Sequence, residues 1–288
     1  MRTSPDQIDD RWTLAAIGVL VATLSSIAHE AIGHGGTCLA VGGTITRLTA
    51  THFACENGSL LVDIGGPLMN LVVALAAFAL LRTHVAGTAA LRLFLFVLGG
   101  VNLCWLAGEV VVSPLVMRYD EAAIARQLGW PPLWRPAMVL VGLALYFGTI
   151  RYAAAILLGH VRTGDAPYIN RARFGIVHLA AILSFVAAGL CWARDPLPAA
   201  QECFMTMAVA VAPLWLAFGP AVRASGGQPL TPAPIARSID WIAAAILLFA
   251  LFALFQGRGI GRLARRSGPG LPPLHDQEPG RATIAGDT

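Results

Sequence analysis

The chain contains no lysine; all twenty of its basic residues are arginine. Charge of either sign is scarce, at 12% of 288 residues, where a soluble domain carries about 25%. That shortage excludes an ordinary soluble globular protein. It also removes the dense basic surface that phosphate backbones require, so nucleic acid is not an expected partner. The chain has no fixed-period repeat, no glycine-rich phosphate loop and no Ser/His/Asp set. The polar stretches near 35–58, 118–133, 159–173 and 224–238 are too short for a soluble domain. What is abundant is apolar residues: 56% are hydrophobic and the mean hydropathy is +0.67.

Runs long enough to cross about 30 Å of hydrocarbon lie near residues 12–34, 59–81, 91–117, 136–158, 174–193, 205–223 and 239–256. The expected fold is an all-α, polytopic transmembrane helix bundle of six or seven spans. The weakest run is 205–223, which Pro213 and Pro220 interrupt. The first run resembles a signal peptide only superficially. It is too long, and Asp6, Asp9 and Asp10 stand where a basic cluster belongs. It is read as retained. The expected organisation is a membrane core over 1–125, additional helices over 126–256 and a disordered basic tail over 257–288. Arginines between the runs mark membrane edges, and the expected location is a multi-pass position in a cell (inner) membrane with the lipid bilayer as solvent.

Five cysteines are present, and two pairs bracket loops: Cys38 with Cys55, and Cys191 with Cys203. Both loops fall on one membrane face. Two disulfides would make that face oxidising and the N-terminus cytoplasmic. A cytoplasmic basic tail would then require an even number of crossings. Free buried thiols are the alternative.

The first span holds His29-Glu30-Ala31-Ile32-Gly33-His34. Two imidazoles and a carboxylate are the components of a zinc-hydrolase site, with histidines as ligands and the glutamate as base. An acid at the bilayer centre costs roughly 2.5–3.5 kcal/mol, so such groups face a cavity and have a function. The histidines are five residues apart. On a regular α-helix that offset turns the second imidazole about 140° away from the first. A π-helical turn, with i→i+5 hydrogen bonds, returns them to one face. The spacing therefore predicts a bulge, kink or helix end between Ile32 and Gly36. The remaining options are Glu30 and His34 as the coordinating pair, or a polar cluster without metal. In the second span, Gly65-Gly66-Pro67 predicts a broken or kinked helix, with the Asn70 amide beside the break; close helix packing is the other use of such residues.

Taken together, His29-Glu30…Gly33-His34 and Gly66-Pro67-Leu68-Met69-Asn70 resemble the site-2 protease family of intramembrane zinc metalloproteases. The resemblance covers residues 12–125 and implies a three-helix metallopeptidase core, bound Zn2+ and membrane-protein or peptide substrates. It also implies an aspartate as third ligand after the third core helix. The family's LDG element is missing, and Asp120, following Asn102 and Pro114, takes its place; Glu109 is the alternative ligand and Asp63 a weaker one. On this reading Glu30 is the base, and Asn70 and Asn102 hold the substrate strand or the oxyanion. Interhelical hydrogen bonding is the competing role for both asparagines. Two other functions stay open: an inactive relative that binds membrane proteins, and a proton or metal transporter. His178 reads as a helix–helix hydrogen-bond partner, Arg151 as a snorkelling or paired cation, and Asp240-Trp241 as the start of the last span.

Overall fold

The computed structural model describes residues 8–83, 87–163, 167–227, 230 and 232–260. Seven helices within it are long and apolar enough to cross a membrane. The first runs from Arg11 to Ala40 and changes character along its length. It begins as α1 (Arg11–Ser26), becomes π-helical over Ile27–Gly36, and ends as the short α2 (Thr37–Ala40). Asp10 caps α1 by accepting from Thr13 N and Thr13 Oγ1, both at 2.8 Å. A two-stranded antiparallel hairpin follows, β1 (Thr44–Leu48) with β2 (Phe53–Glu56). The stretch expected as a polar loop is thus built structure. Its two strands are the departure from an all-α chain.

The remaining spans are α3 (Leu60–Leu81), α4 (Ala89–Val116), α6 (Trp134–Thr163), α7 (Arg171–Leu190), a composite span over Pro196–Ala224, and α10 (Ile239–Phe252) with its π-helical end Ala253–Gly257. The composite span is α8 (Pro196–Phe204), a π turn (Met205–Val209), a 3-10 segment (Ala212–Ala217) and α9 (Phe218–Ala224). Pro213 and Pro220 leave the chain helical in pieces here. Between α4 and α6 lies α5 (Tyr119–Gln127), a short helix outside the spans.

The Gly66-Pro67 break does not occur; α3 runs through it. Pro67 removes one backbone donor, and the carbonyl so deprived is that of Asp63, in the helix's first turn. The glycines serve close approach instead. A Cβ on Gly33 would overlap the Gly65 carbonyl, and one on Gly65 the Gly33 carbonyl. The π segment and α3 therefore meet backbone to backbone, the contact small residues allow in a membrane.

The interior lies around α4, whose Leu93, Phe96, Cys104 and Ala107 are fully buried. Leu140, Phe147, Ile246 and Leu247 on α6 and α10 stay exposed, as lipid-facing side chains should. Polar ties join distant ends. Arg173 is buried and binds Asp9 through Nε and Nη2, with Nη1 donating to Tyr168 O at 2.8 Å. At the opposite face, Gln256 Nε2 donates to Ser26 Oγ at 3.1 Å and Thr49 O at 3.0 Å. Leu48 and Ile260 exchange two backbone hydrogen bonds.

One of the two cysteine pairs forms. Cys38 and Cys55 are bonded, fastening α2 to β2. Cys191 is exposed and Cys203 buried, both as free thiols. Ile260 pairs with Leu48 of the hairpin, beyond the C-terminal end of the first long helix, whereas residues 8–10 stand at its N-terminal end. Residues 257–260, expected as the start of the basic tail, are ordered. The rest of the basic tail lies outside the described residues. His178 behaves as expected: Trp215 Nε1 donates to its Nδ1 at 3.1 Å, and its Nε2 meets Met207 O at 2.7 Å. Arg151 stacks over Phe147, and Asp240 sits in the first turn of α10.

Candidate metal centre

The π segment does what the five-residue spacing requires. It brings His29 Nε2 within 3.2 Å of His34 Nε2, edge to face, with both side chains buried. Both rings stack on aromatics and His34 is also hydrogen-bonded from behind, whereas His29 Nδ1 has no hydrogen-bond partner among the described residues. His34 Nδ1 hydrogen-bonds the Val62 carbonyl at 2.7 Å. A carbonyl only accepts, so the proton sits on Nδ1 and the Nε2 lone pair faces the cluster. Phe53 of β2 stacks on His34 with centroids 5.5 Å apart, and Trp105 of α4 stacks on His29 at 4.9 Å.

Asp120 completes the set. Its Oδ2 lies 3.2 Å from His34 Nε2 and 3.5 Å from His29 Nε2. The chain reaches this position through a strained reversal. Met117 and Tyr119 adopt φ of +56° and +70°, conformations costly for large side chains. Ser113 Oγ steadies the turn, donating to Arg118 O and accepting from Ala122 N at 2.9 Å. Arg118 pairs with Glu202 at 3.1 Å, so Asp120 is not the solvated partner of its neighbour. Burial by itself raises the Asp120 carboxyl. When the two imidazoles are protonated they outweigh it and hold the group below the usual carboxylate range.

The three atoms form a triangle with edges of 3.2, 3.2 and 3.5 Å. Ligands about 2.0–2.1 Å from a tetrahedral zinc lie roughly 3.3 Å from one another. The donor set, two neutral imidazole nitrogens and a carboxylate oxygen, is a zinc set. Gly66 leaves the space beside them open: a Cβ there would overlap both Nε2 atoms. On geometry and chemistry these residues fit the ion.

Around the triangle, Glu30 is buried and its Oε2 has no hydrogen-bond partner among the described residues. Asn70 is one turn after Gly66 on the same face of α3, fully buried, with both amide atoms unpartnered. Asn102 does not join them. Its Nδ2 donates to Ser25 Oγ at 2.9 Å and Leu98 O at 2.8 Å, binding the third span to the first. With both N–H groups spent, it has no donor left for a substrate. Glu109 stands outside the triangle, 3.9 Å from His29 Nε2 and accepting from Trp105 Nε1 at 2.8 Å. Asp63 accepts from Gln127 Nε2 and belongs to no metal set among the described residues.

Sequence reasoning missed Phe53, Trp105 and the Val62 carbonyl. Trp105 had a signal, its i,i+4 spacing from Glu109. The other two had none. Comparison with family models, curated proteins and solved structures finds no match to this chain.

Proposed function

We propose that the protein is an intramembrane zinc metallopeptidase of site-2 type, cleaving membrane-embedded or membrane-adjacent peptide. One observation carries this reading: His29 and His34, on the π-helical part of the first span, and Asp120, on α5, converge with zinc-like spacing, and Glu30 directly follows His29. Zinc bound there supplies Lewis acidity to a peptide carbonyl and acidifies water. The chain's own groups do the rest. Glu30 takes the proton from attacking water and returns it to the leaving amine. Its unpaired Oε2 leaves that carboxylate free to accept. Asn70 offers a buried N–H pair to an oxyanion or an unwound strand. Trp105 and Phe53 keep the imidazoles from turning and close the sides of the site to lipid.

Glu30→Gln tests the reading. The variant keeps size and one carbonyl oxygen but loses the acceptor. It is expected to insert, fold and hold zinc at the native stoichiometry while cleaving model transmembrane peptides at least 10²-fold more slowly. Zinc loss would make Glu30 a ligand. Zinc retained in a native chain that cleaves nothing would favour a non-hydrolytic binding protein.

A further inference from the structure

The hairpin beside the candidate metal centre carries a cation whose side chain pairs with none of the described residues. Arg47 lies on β1, opposite Ala54 and next to Leu48, whose partner Phe53 is the ring stacked on His34. The register slips between Ile45 and Arg47, leaving Thr46 as an extra residue. Such bulges re-aim a side chain, and they concentrate beside active sites. Ile45, just before the bulge, packs its Cδ1 near Gly35 of the π segment. The hairpin is thus seated on the helix that bears the histidines, with Arg47 within electrostatic reach of Glu30.

Among the described residues Arg47 makes no hydrogen bond and no ion pair, and its Nε is buried. Among the described residues, neither acid in reach, Glu30 or Glu202, pairs with it. Glu202 is engaged by His52 Nε2 at 2.9 Å and by Arg118 at 3.1 Å. Glu30 forms no ion pair with it. Arg194, the other charge in reach, is also a cation without an ion pair and repels it. Burial and this like charge both push the Arg47 guanidinium down from its ordinary value. Other arginines of the chain find company: Arg173 with Asp9, Arg126 with Met117 O, Arg135 with Pro114 O. A half-buried guanidinium left unpaired costs free energy, and the group best shaped to offset that is a carboxylate taken in a bidentate grip.

We infer that Arg47, with Arg194 behind it, binds a carboxylate of the substrate peptide and so selects peptides bearing one near the scissile bond. The carboxylate is either a free C-terminus or an acidic side chain. This rests on the peptidase reading for its substrate, and the test separates the two. The probe is a fluorescein-labelled apolar hexapeptide of leucine, alanine and valine in three forms. One ends in a free carboxylate, one is amidated, and one is amidated with an internal aspartate. Binding is followed by anisotropy on the full chain in detergent, in the Glu30→Gln background so that nothing is cut. At least one carboxylate form is expected to bind tenfold or more tightly than the plain amidated one, and which form does so identifies the source. Arg47→Gln should erase that preference by weakening only the carboxylate forms. Arg47→Lys, which keeps charge without the fork, should retain part of it and serves if the glutamine variant does not fold. Equal binding of all three forms, or no binding, overturns the inference. Carboxylate-dependent binding by a chain that never hydrolyses any peptide would retire the peptidase reading and leave the Arg47 site standing.

Discussion

On the proposed metal reading Asp120 is the decisive side chain, because among the described residues it is the carboxylate lying against both imidazoles. Asp120→Ala is therefore expected to strip zinc from purified protein. Glu109→Ala should keep it, since Glu109 lies 3.9 Å from one histidine and is bonded to Trp105. Metal analysis of both variants decides; the reverse pattern transfers the ligand role to Glu109. His29, Glu30 and His34 were legible in the sequence because they are local: polar groups bunched within a span have few structural uses. Asp120 needed the family resemblance, since nothing in its own neighbourhood marks it as a ligand. Asn102 was read as holding substrate or as an interhelical tie, and its amide N–H groups meet Ser25 and Leu98. A buried asparagine looks the same in sequence whether its amide meets a substrate or a neighbouring helix. The bulge at Thr46 that precedes Arg47 was invisible for a different reason: which residue a strand leaves unpaired depends on register, and register is set across the hairpin.

Among the elements, the first span shows how spacing becomes shape. Two histidines five apart can share an ion only if the helix widens, and it does so over ten residues, Ile27–Gly36. That widening followed from the sequence; the unbroken α3 did not. Proline near a helix start deprives one carbonyl only, and the glycines before it were needed for contact with Gly33. The hairpin was missed because strands of five and four residues in a polar stretch show no alternation to read. Asp10 anchors the start of the span that carries His29 and His34. Its hydrogen bonds to the Thr13 backbone and side chain lower its pKa. A carboxyl depressed in the folded state adds stability above its unfolded value near 3.8, and that stability is lost as pH falls through the folded value. Asp10→Ala should lower the melting temperature at pH 7, with the gap from the native chain closing below pH ~4. A pH-independent gap in scanning calorimetry would assign the effect to packing instead.

For the molecule as a whole, long-range polar ties set which helices stand together. Arg173 is fully buried against Asp9, so removing one partner leaves a charge stranded. Arg173→Ala is expected to cost about 3–5 kcal/mol, with the double variant Asp9→Ala/Arg173→Ala recovering part of it. A loss in the double variant equal to the sum of the two single losses, read from chemical unfolding in micelles, would show that the pair itself contributes nothing. The seven spans were legible from hydropathy alone, including the proline-broken sixth. Their neighbours were not, because lipid offers no hydrophobic preference between one helix and another. The tie between Gln256, Ser26 and Thr49 has a consequence in time. Synthesis runs from the N-terminus, so the span with His29 and His34 enters the bilayer first. Its junction with the hairpin receives the Gln256 amide, and Leu48 its partner Ile260, only as the seventh helix arrives. The chain therefore finishes its oldest helix last, and a ribosome that stalls before residue 256 leaves behind a nascent product whose Ser26 and Thr49 still lack that tie.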